Sequence, residues 1–282
     1  MTVDSARTPL VSVILATRNC ARTIGRCLET VRAQTAADIE VIVVDNHSTD
    51  GTRALAEPLA DLVIVAGPER SSQRNVGLAA ARGAYVLVLD CDMELRPDVV
   101  AACLECVGGG AAIVAIPEVS FGEGYWSRCK AFERSFYNAD AVVAAARFFP
   151  TAVLRTIGGW DEEMYAGEDW DVSMRAEALA PMRFARTHIL HNEGRLRLSA
   201  LLAKKHYYGR NLRVFLRKHR GGAMTRLSPI RGALLREWRV LLSKPTLTVG
   251  MLAMKAGELA AVGTGMLRSP KPVVARARTE HS

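Results

Sequence analysis

The sequence predicts an α/β protein: a mostly parallel sheet sandwiched between helices, extended at its C-terminal end by basic helices. Three observations carry this. Short apolar runs rich in β-branched residues alternate with segments of helical spacing along the N-terminal part of the chain. These runs are continuously apolar rather than alternating, the mark of strands covered on both faces. Charge is also divided unevenly: residues 195–282 hold 19 Lys or Arg against 3 Asp or Glu, whereas residues 1–194 hold 18 against 26.

The elements follow in order. Leu10 to Ala16 reads as a buried strand, closed by the polar turn Thr17-Arg18-Asn19. Residues 20–34 place Ile24, Leu28 and Val31 on one helical face. Ile39 to Val44 is a second strand, ending in Asp45-Asn46-His47-Ser48-Thr49-Asp50-Gly51. Residues 52–60 read as helix, 62–65 as strand, and Asn75 to Ala81 as helix with Gly83 as its C-cap. Tyr85 to Leu89 is the fourth strand. A helix over about 98–107 and a strand from Ala111 to Ile116 come next. Tyr125 to Asn138 is an aromatic-rich helix, with Trp126, Phe132, Phe136 and Tyr137 facing either the core or a ligand. Ala141 to Phe149 and Thr187 to Leu190 read as further strands.

In such sheets ligands sit at the carboxyl ends of the strands. Polar residues cluster there: Thr17 and Arg18 after the first strand, Asp45 after the second, Asp90 and Asp92 after the fourth. Residues i and i+2 of a strand point the same way, so Asp90 and Asp92 can face one cavity. Two carboxylates that close repel unless a cation or protons intervene. Hard divalent cations take oxygen ligands and complete their shell with phosphate, so this pair suits Mg²⁺ or Mn²⁺ holding a diphosphate. A solvated strand-to-loop exit has the same sequence, so the pair alone decides nothing.

The ordered set of motifs resembles the family 2 glycosyltransferases of GT-A fold, from about Leu10 to Gly209. The resemblance rests on VSVILATRNCARTIGRCLETVRAQT, IEVIVVDNHSTDGT, GPERSSQRNVGLAAARGAYVLVLDCD with Arg74, Asn75 and Gly77, and IGGWDEEMYAGEDWDVSMR. It implies that Asp45 binds the nucleotide base and that Thr17 and Arg18 lie near base, ribose or phosphates. It implies that Asp90 contacts ribose or sugar, with Arg74 in the same nucleotide-sugar site, and that Asp92 ligates the metal. Asp169 would deprotonate the acceptor hydroxyl, giving inversion at the anomeric carbon, and Glu168 would bind acceptor or fix Asp169. From the residues alone Glu168 and Asp171 stand as alternative bases, and acids at a helix N-terminus are favoured by its dipole in any case. His191, in HNEGRL, would touch metal or diphosphate, with Arg195 and Arg197 near phosphates. The implied donor is a nucleoside-diphosphate sugar of UDP or GDP type, with dTDP open. The implied acceptor is a saccharide or lipid-linked saccharide, in cell-envelope or exopolysaccharide synthesis.

The charge-rich end divides the chain into 1–200, carrying catalysis, and 201–282. Lys204 to Gly222 has Tyr207, Tyr208, Leu212, Phe215 and Leu216 among cations, a basic amphipathic helix suited to an anionic membrane surface. Val240 to Leu267 is apolar but broken by Lys244, Pro245, Lys255 and Glu258, so it reads as lying in the interface rather than spanning it. The alternative is a helix packed on the domain with its arginines solvated. Nucleic acid is not expected as a partner, since no binding motif accompanies the charge. The six cysteines lack a secretory setting and read as reduced thiols. With no apolar leader before the first strand, the expectation is a cytoplasmic protein, peripheral on the inner face of the plasma membrane. A nucleotidyltransferase and a non-catalytic nucleotide-binding membrane scaffold remain as rival readings. A dinucleotide oxidoreductase is not expected, since no G-x-G-x-x-G follows the first strand.

Overall fold

The computed structural model describes residues 8–35, 38–137, 144–219 and 236–268. The N-terminal half runs β1 (Val11–Thr17), α1 (Ile24–Arg32), β2 (Ile39–Asp45), α2 (Thr52–Ala56), β3 (Leu62–Val65), α3 (Arg70–Ala80), β4 (Tyr85–Asp90), β5 (Met93–Leu95) and α4 (Val99–Val107). Then come β6 (Ile113–Ala115), β7 (Glu118–Phe121), α5 (Gly124–Ser135), β8 (Ala146–Pro150), α6 (Thr151–Thr156), α7 (Glu168–Glu177), β9 (Met182–Phe184) and β10 (Ile189–Asn192). The helices α8 (Leu198–Lys218), α9 (Trp238–Ser243) and α10 (Pro245–Leu267) complete the order.

Seven strands form the main sheet in the order β3-β2-β1-β4-β8-β6-β9. The first four are mutually parallel, and β8 runs antiparallel to both β4 and β6. A second sheet, β5-β10-β7, crosses near the end of β4. The continuous apolar runs are explained by two cores. Val13, Leu15, Val41, Val43, Leu87 and Leu89 point to the side covered by α1 and α4. Their neighbours Ile14, Ile42, Val44, Val86 and Val88 point to the other, where α7 and the end of α3 pack. Register sets the site: Thr17 pairs with Asp45, and Ala16 with Asp90, so these residues reach one sheet edge together.

Three expectations change in detail. Helix α3 begins at Arg70, five residues before the apolar pattern starts, because its first turns carry the polar side chains Ser71, Gln73 and Arg74 into buried contacts rather than solvent. Gly83 is not its C-cap, which is Ala81; a side chain at Gly83 would collide with the backbone of Ser12. The strand expected from Ala141 is β8, from Ala146, with 138–143 outside the described residues. The aromatic helix is α5, and Phe132 packs with Met251 of α10 against the partly buried Phe136, Tyr137, Leu241 and Leu247, so packing accounts for three of the four rings. Trp126 is half-buried, edge-on to Tyr125.

Helix α8 lays its apolar side on the domain. Phe215 is fully buried with Met164, and Trp170 and Leu212 pack around them. Much of the amphipathic face that reads as suited to a membrane is therefore taken up by the domain, although Tyr207 stays exposed. Lys204, Arg213 and Arg217 are exposed, whereas Lys205 lies 3.9 Å from Glu258 and Lys218 2.9 Å from Asp171. Helix α10 runs alongside α8 at backbone distance, since a Cβ on Gly209 or Gly265 would strike the main chain of the other helix.

A buried ion cluster fastens α10 to α5. Lys130 Nζ lies 2.7 Å from Glu133 and 3.1 Å from Glu258, and Lys255 Nζ lies 2.6 Å from Glu133. Removing Lys130 leaves the buried Glu258 with only Lys205, 3.9 Å away, and breaking a buried pair in this way costs about 3–5 kcal/mol. Lys130→Met is expected to lower unfolding stability by that order in urea denaturation. Burial alone would raise the Glu133 carboxyl, but the two lysines prevail and hold it at about 2. The folded value is depressed, so this stabilisation is present above the unfolded value near 4.3 and is lost as pH falls from about 4 towards 2. A denaturation series across that window checks the sign.

Candidate active site

The carboxyl edge of β1, β2 and β4 is assembled by polar ties between loops. Asn19 Oδ1 accepts from the Thr49 N–H, Ser48 Oγ accepts from the Asn19 N–H, and Asp50 accepts from the N–H groups of Ala21 and Thr52. Most polar residues of the second-strand motif thus weld one loop to the next. Asp45 is buried; its carboxylate accepts from Thr17 Oγ1 at 3.1 Å and from Ser48 N and Oγ. It lines a cavity of about 400 Å³ with His47, Ser48, Thr49 and Arg53. Thr17 is buried beneath it, and Arg18 is exposed just beyond. Asp90, Asp92 and Asp169 do not line this cavity.

They belong to a second grouping organised by α3. Gly77 lets α3 approach β1, because a Cβ there would meet Ile14 Cγ2. Asn75 clamps the glycine turn before α7, accepting from the Trp160 N–H at 2.8 Å and donating to the Trp160 carbonyl. Gln73 donates to the carbonyls of Thr17 and Val44. Arg74, fully buried, then spans the site: Nη1 lies 2.5 Å from Asp169 Oδ1 and Nη2 3.1 Å from Asp90 Oδ1. Each residue of the R-N-x-G motif therefore has a separate mechanical task.

Asp169 sits in the first turn of α7 with its side chain 35% exposed, and Oδ2 accepts no hydrogen bond among the described residues. Glu168 is buried, 2.7 Å from Arg70, in charge pairing rather than an aligned hydrogen bond. Burial, helped by the Asp169 charge, pushes its carboxyl upward. Asp171 points elsewhere: it is fully buried and bonded to Arg175, Lys218 and His219 at 2.7–2.9 Å, which ties α7 to α8. Those partners hold it below the usual carboxylate range against the effect of burial. Of the three acids that the sequence left open as bases, only Asp169 is both solvent-facing and beside Arg74.

Two basic residues and one acid absent from the sequence reading complete the cluster. Arg147 of β8 lies 2.7 Å from Glu118 and 3.5 Å from Asp90. Burial would raise the carboxyls of Asp90 and Glu118, but the guanidinium groups, Arg147 foremost, hold both far below their ordinary values. Arg70 adds a third cation on the Glu168 side. The available signal was an arginine inside an apolar strand, Ala146-Arg147-Phe148-Phe149, which is rare unless it is paired.

Asp92 and His191 meet across the β5–β10 pairing, with Nε2 3.4 Å from Asp92 Oδ2. Nδ1 lies 3.0 Å from Glu118 Oε2. Burial disfavours the imidazolium, but bonds to Asp92 and Glu118 outweigh it and raise the ring to about 9. One Asp92 oxygen, Oδ1, is buried with no hydrogen-bond partner among the described residues. An orphaned carboxylate oxygen beside an imidazole backed by a second carboxylate fits a divalent cation. No group of three His, Cys, Asp or Glu suited to a metal occurs among the described residues. A cation here would be held by Asp92 and by His191 once its Nε2 gives up its proton, with other ligands from outside the protein. Arg195 and Arg197, exposed where β10 leads into α8, stand next along the chain.

With this geometry in view, comparisons identify the family. The model for glycosyl transferase family 2 matches residues 12–185, and the chain belongs to that family. It is 36% identical over 117 residues to the succinoglycan biosynthesis protein ExoO of Rhizobium meliloti, covering 39% of this chain and 33% of that protein. It is 27% identical over 210 residues to a chondroitin synthase of Escherichia coli, covering 66% of this chain and 30% of that one. The chain thus spans about a third of these curated relatives. Its fold is shared with the mannosyltransferase PcManGT of Pyrobaculum calidifontis, solved with GDP-Man and Mn²⁺, at TM-score 0.64 and 19% identity over 93% of this chain and 88% of that one. Residues 1–349 of S. aureus TarS, solved with UDP-GlcNAc, match at TM-score 0.54 and 18% identity over 91% of this chain and 90% of that fragment. The expected GT-A architecture is therefore found.

If Glu118 orients His191 for a cation, Glu118→Gln should weaken Mn²⁺ binding by about 10–100-fold, since such outer partners fix ring orientation and basicity. Calorimetric Mn²⁺ titration with nucleoside diphosphate present measures this, and Asp92→Ala should abolish the heat.

Proposed function

We propose that the protein transfers a sugar from a nucleoside-diphosphate sugar to a hydroxyl of a saccharide acceptor, carried on a lipid, with inversion at the anomeric carbon. The observation that carries this reading is Arg74, which holds an acid of the β4 end and an acid of α7 on one guanidinium. Donor-side and acceptor-side groups are thereby set at a fixed distance.

The donor's base rests against Asp45 in the cavity at the end of β2, with Thr17 and Arg18 towards ribose and phosphates. Asp90, kept anionic by Arg74 and Arg147, accepts hydrogen bonds from ribose or sugar hydroxyls. Asp92 and His191 are the residues that would hold Mg²⁺ or Mn²⁺, which when bound would supply positive charge to stabilise a departing diphosphate. Asp169 uses Oδ2 to take the acceptor's proton as the new bond forms; a sugar hydroxyl is a poor nucleophile without such a base. Arg74 on Oδ1 fixes the orientation of that carboxylate. Glu168, behind it and paired to Arg70, positions Asp169 and the acceptor. Attack and departure occur on opposite faces of the sugar, hence the inversion. Relatives named for succinoglycan and chondroitin synthesis support a polysaccharide or glycolipid acceptor. Neighbours solved with GDP-Man and UDP-GlcNAc support donors of UDP or GDP type.

Calorimetry with UDP, GDP and dTDP, with Mn²⁺ or Mg²⁺ and then with chelator, tests the donor half. One nucleotide should bind, and chelation should remove it; absence of binding under every condition overturns the reading. Asp169→Asn tests the acceptor half. It should lower kcat by about 10²–10⁴-fold and leave the nucleotide Kd unchanged, whereas Asp171→Asn should act on melting temperature instead.

A further inference from the structure

Helix α10 has its polarity turned inside out. Its two charged residues, Lys255 and Glu258, face inward and are consumed by the ion cluster with Lys130 and Glu133. Met251 and Met254 fill the remaining inward face. Outward stand Val249 (67% exposed), Leu252 (55%), Leu259 (50%) and Leu267 (79%), with Ala253, Ala256, Ala260 and Gly263 between them. Spacings of three and four residues keep these on one stripe. From Val249 to Leu267 the stripe is about 27 Å long and carries no charge. Helix α9 continues it with exposed Trp238 and Leu242, beside exposed Arg236, Arg239 and Lys244. A continuous apolar stripe of this length on a water-facing helix calls for a covering partner.

We infer that the α9–α10 face docks in the plane of an anionic lipid bilayer. Charge complementarity selects this occupant. Exposed cations stand on the two helices next to it: Arg213 and Arg217 on α8, which runs alongside α10, and Arg236, Arg239 and Lys244 on or beside α9. The whole segment 195–282 carries 19 cations against 3 acids. Apolar area at the centre with cations at the margin is the pattern of a helix lying at the headgroup boundary. A second copy of the chain would instead bring this cationic margin against itself. No helix among the described residues is long and apolar enough to cross a membrane, so the contact is in-plane. The docking helix is thus α10 and not α8, whose apolar side the domain already occupies.

The test uses the full chain without donor or acceptor, so it stands apart from sugar transfer. Flotation is measured with vesicles of equimolar phosphatidylcholine and phosphatidylglycerol, and with phosphatidylcholine alone. The chain should float with the anionic vesicles and at least about tenfold less with the neutral ones. Leu252→Asp combined with Leu259→Asp should reduce anionic binding at least about tenfold, with unchanged circular dichroism and melting temperature, since both positions are outward. Should that variant misfold, Arg213→Glu with Arg217→Glu tests the charged margin and should lower anionic binding alone. No flotation, or flotation indifferent to lipid charge and to both variants, overturns the inference. A dimer that the double Asp variant dissociates, without flotation, assigns the face to a second copy and overturns it equally.

Discussion

Repulsion among carboxylates governs the carboxyl edge of this sheet. Asp90, Glu118, Glu168 and Asp169 converge there, and such a group cannot all ionise out of water without compensation. The compensation comes chiefly from three guanidinium groups, Arg70, Arg74 and Arg147, drawn from α3 and β8, with Arg134 of α5 also 3.0 Å from Glu118. Arginine suits the task because its planar fork reaches two carboxylates at once and keeps its charge when buried. Placing these three constrains much of the fold. Helix α3 must press on β1, β8 must insert antiparallel beside β4, and α7 must present its acidic first turn to the edge. Asp92 stands apart from this arrangement, with one oxygen left unpartnered beside His191. That contrast separates the acids held by guanidinium groups from the one the proposed function gives to a cation.

The adjacent acids of α7 show how position divides labour within four residues. Glu168 and Asp171 are both buried, yet one is drawn into the arginine cluster and the other into a tie with α8. Asp169 lies between them and reaches solvent. Helical geometry does this: residues one apart project about 100° from each other, so three acids in one turn meet three environments.

Sequence legibility followed the same physics. Strands β1, β2 and β4 were readable because burial on both faces demands unbroken apolar runs. Asp45, Asp90, Asp92, Glu168 and Asp169 stood out as candidates because acids at strand ends and helix starts contrast with apolar neighbours, and because the ordered motifs resemble the family. Arg147 and Glu118 were not, since each is one polar residue in a short strand whose partners lie far away in sequence. The start of α3 was hidden because its first turns bury polar side chains, which a search for apolar periodicity reads as loop. The polarity of α10 was hidden for the converse reason. Lys255 and Glu258 read as solvent-facing charges until their partners on α5 are known.

The multiple anchoring of α3 bears on which changes in length the chain can accept. Gln73, Arg74, Asn75 and Gly77 face different neighbours within little more than one turn, each at hydrogen-bond or van der Waals distance. One inserted or deleted residue within this stretch rotates the remainder of the helix by about 100° and shifts it by about 1.5 Å. The carbonyl ties, the guanidinium bridge, the turn clamp and the close approach to β1 would then fall out of phase together. Length variation among chains of this architecture should therefore avoid this segment and gather in the exposed connections, where no such phase has to be kept.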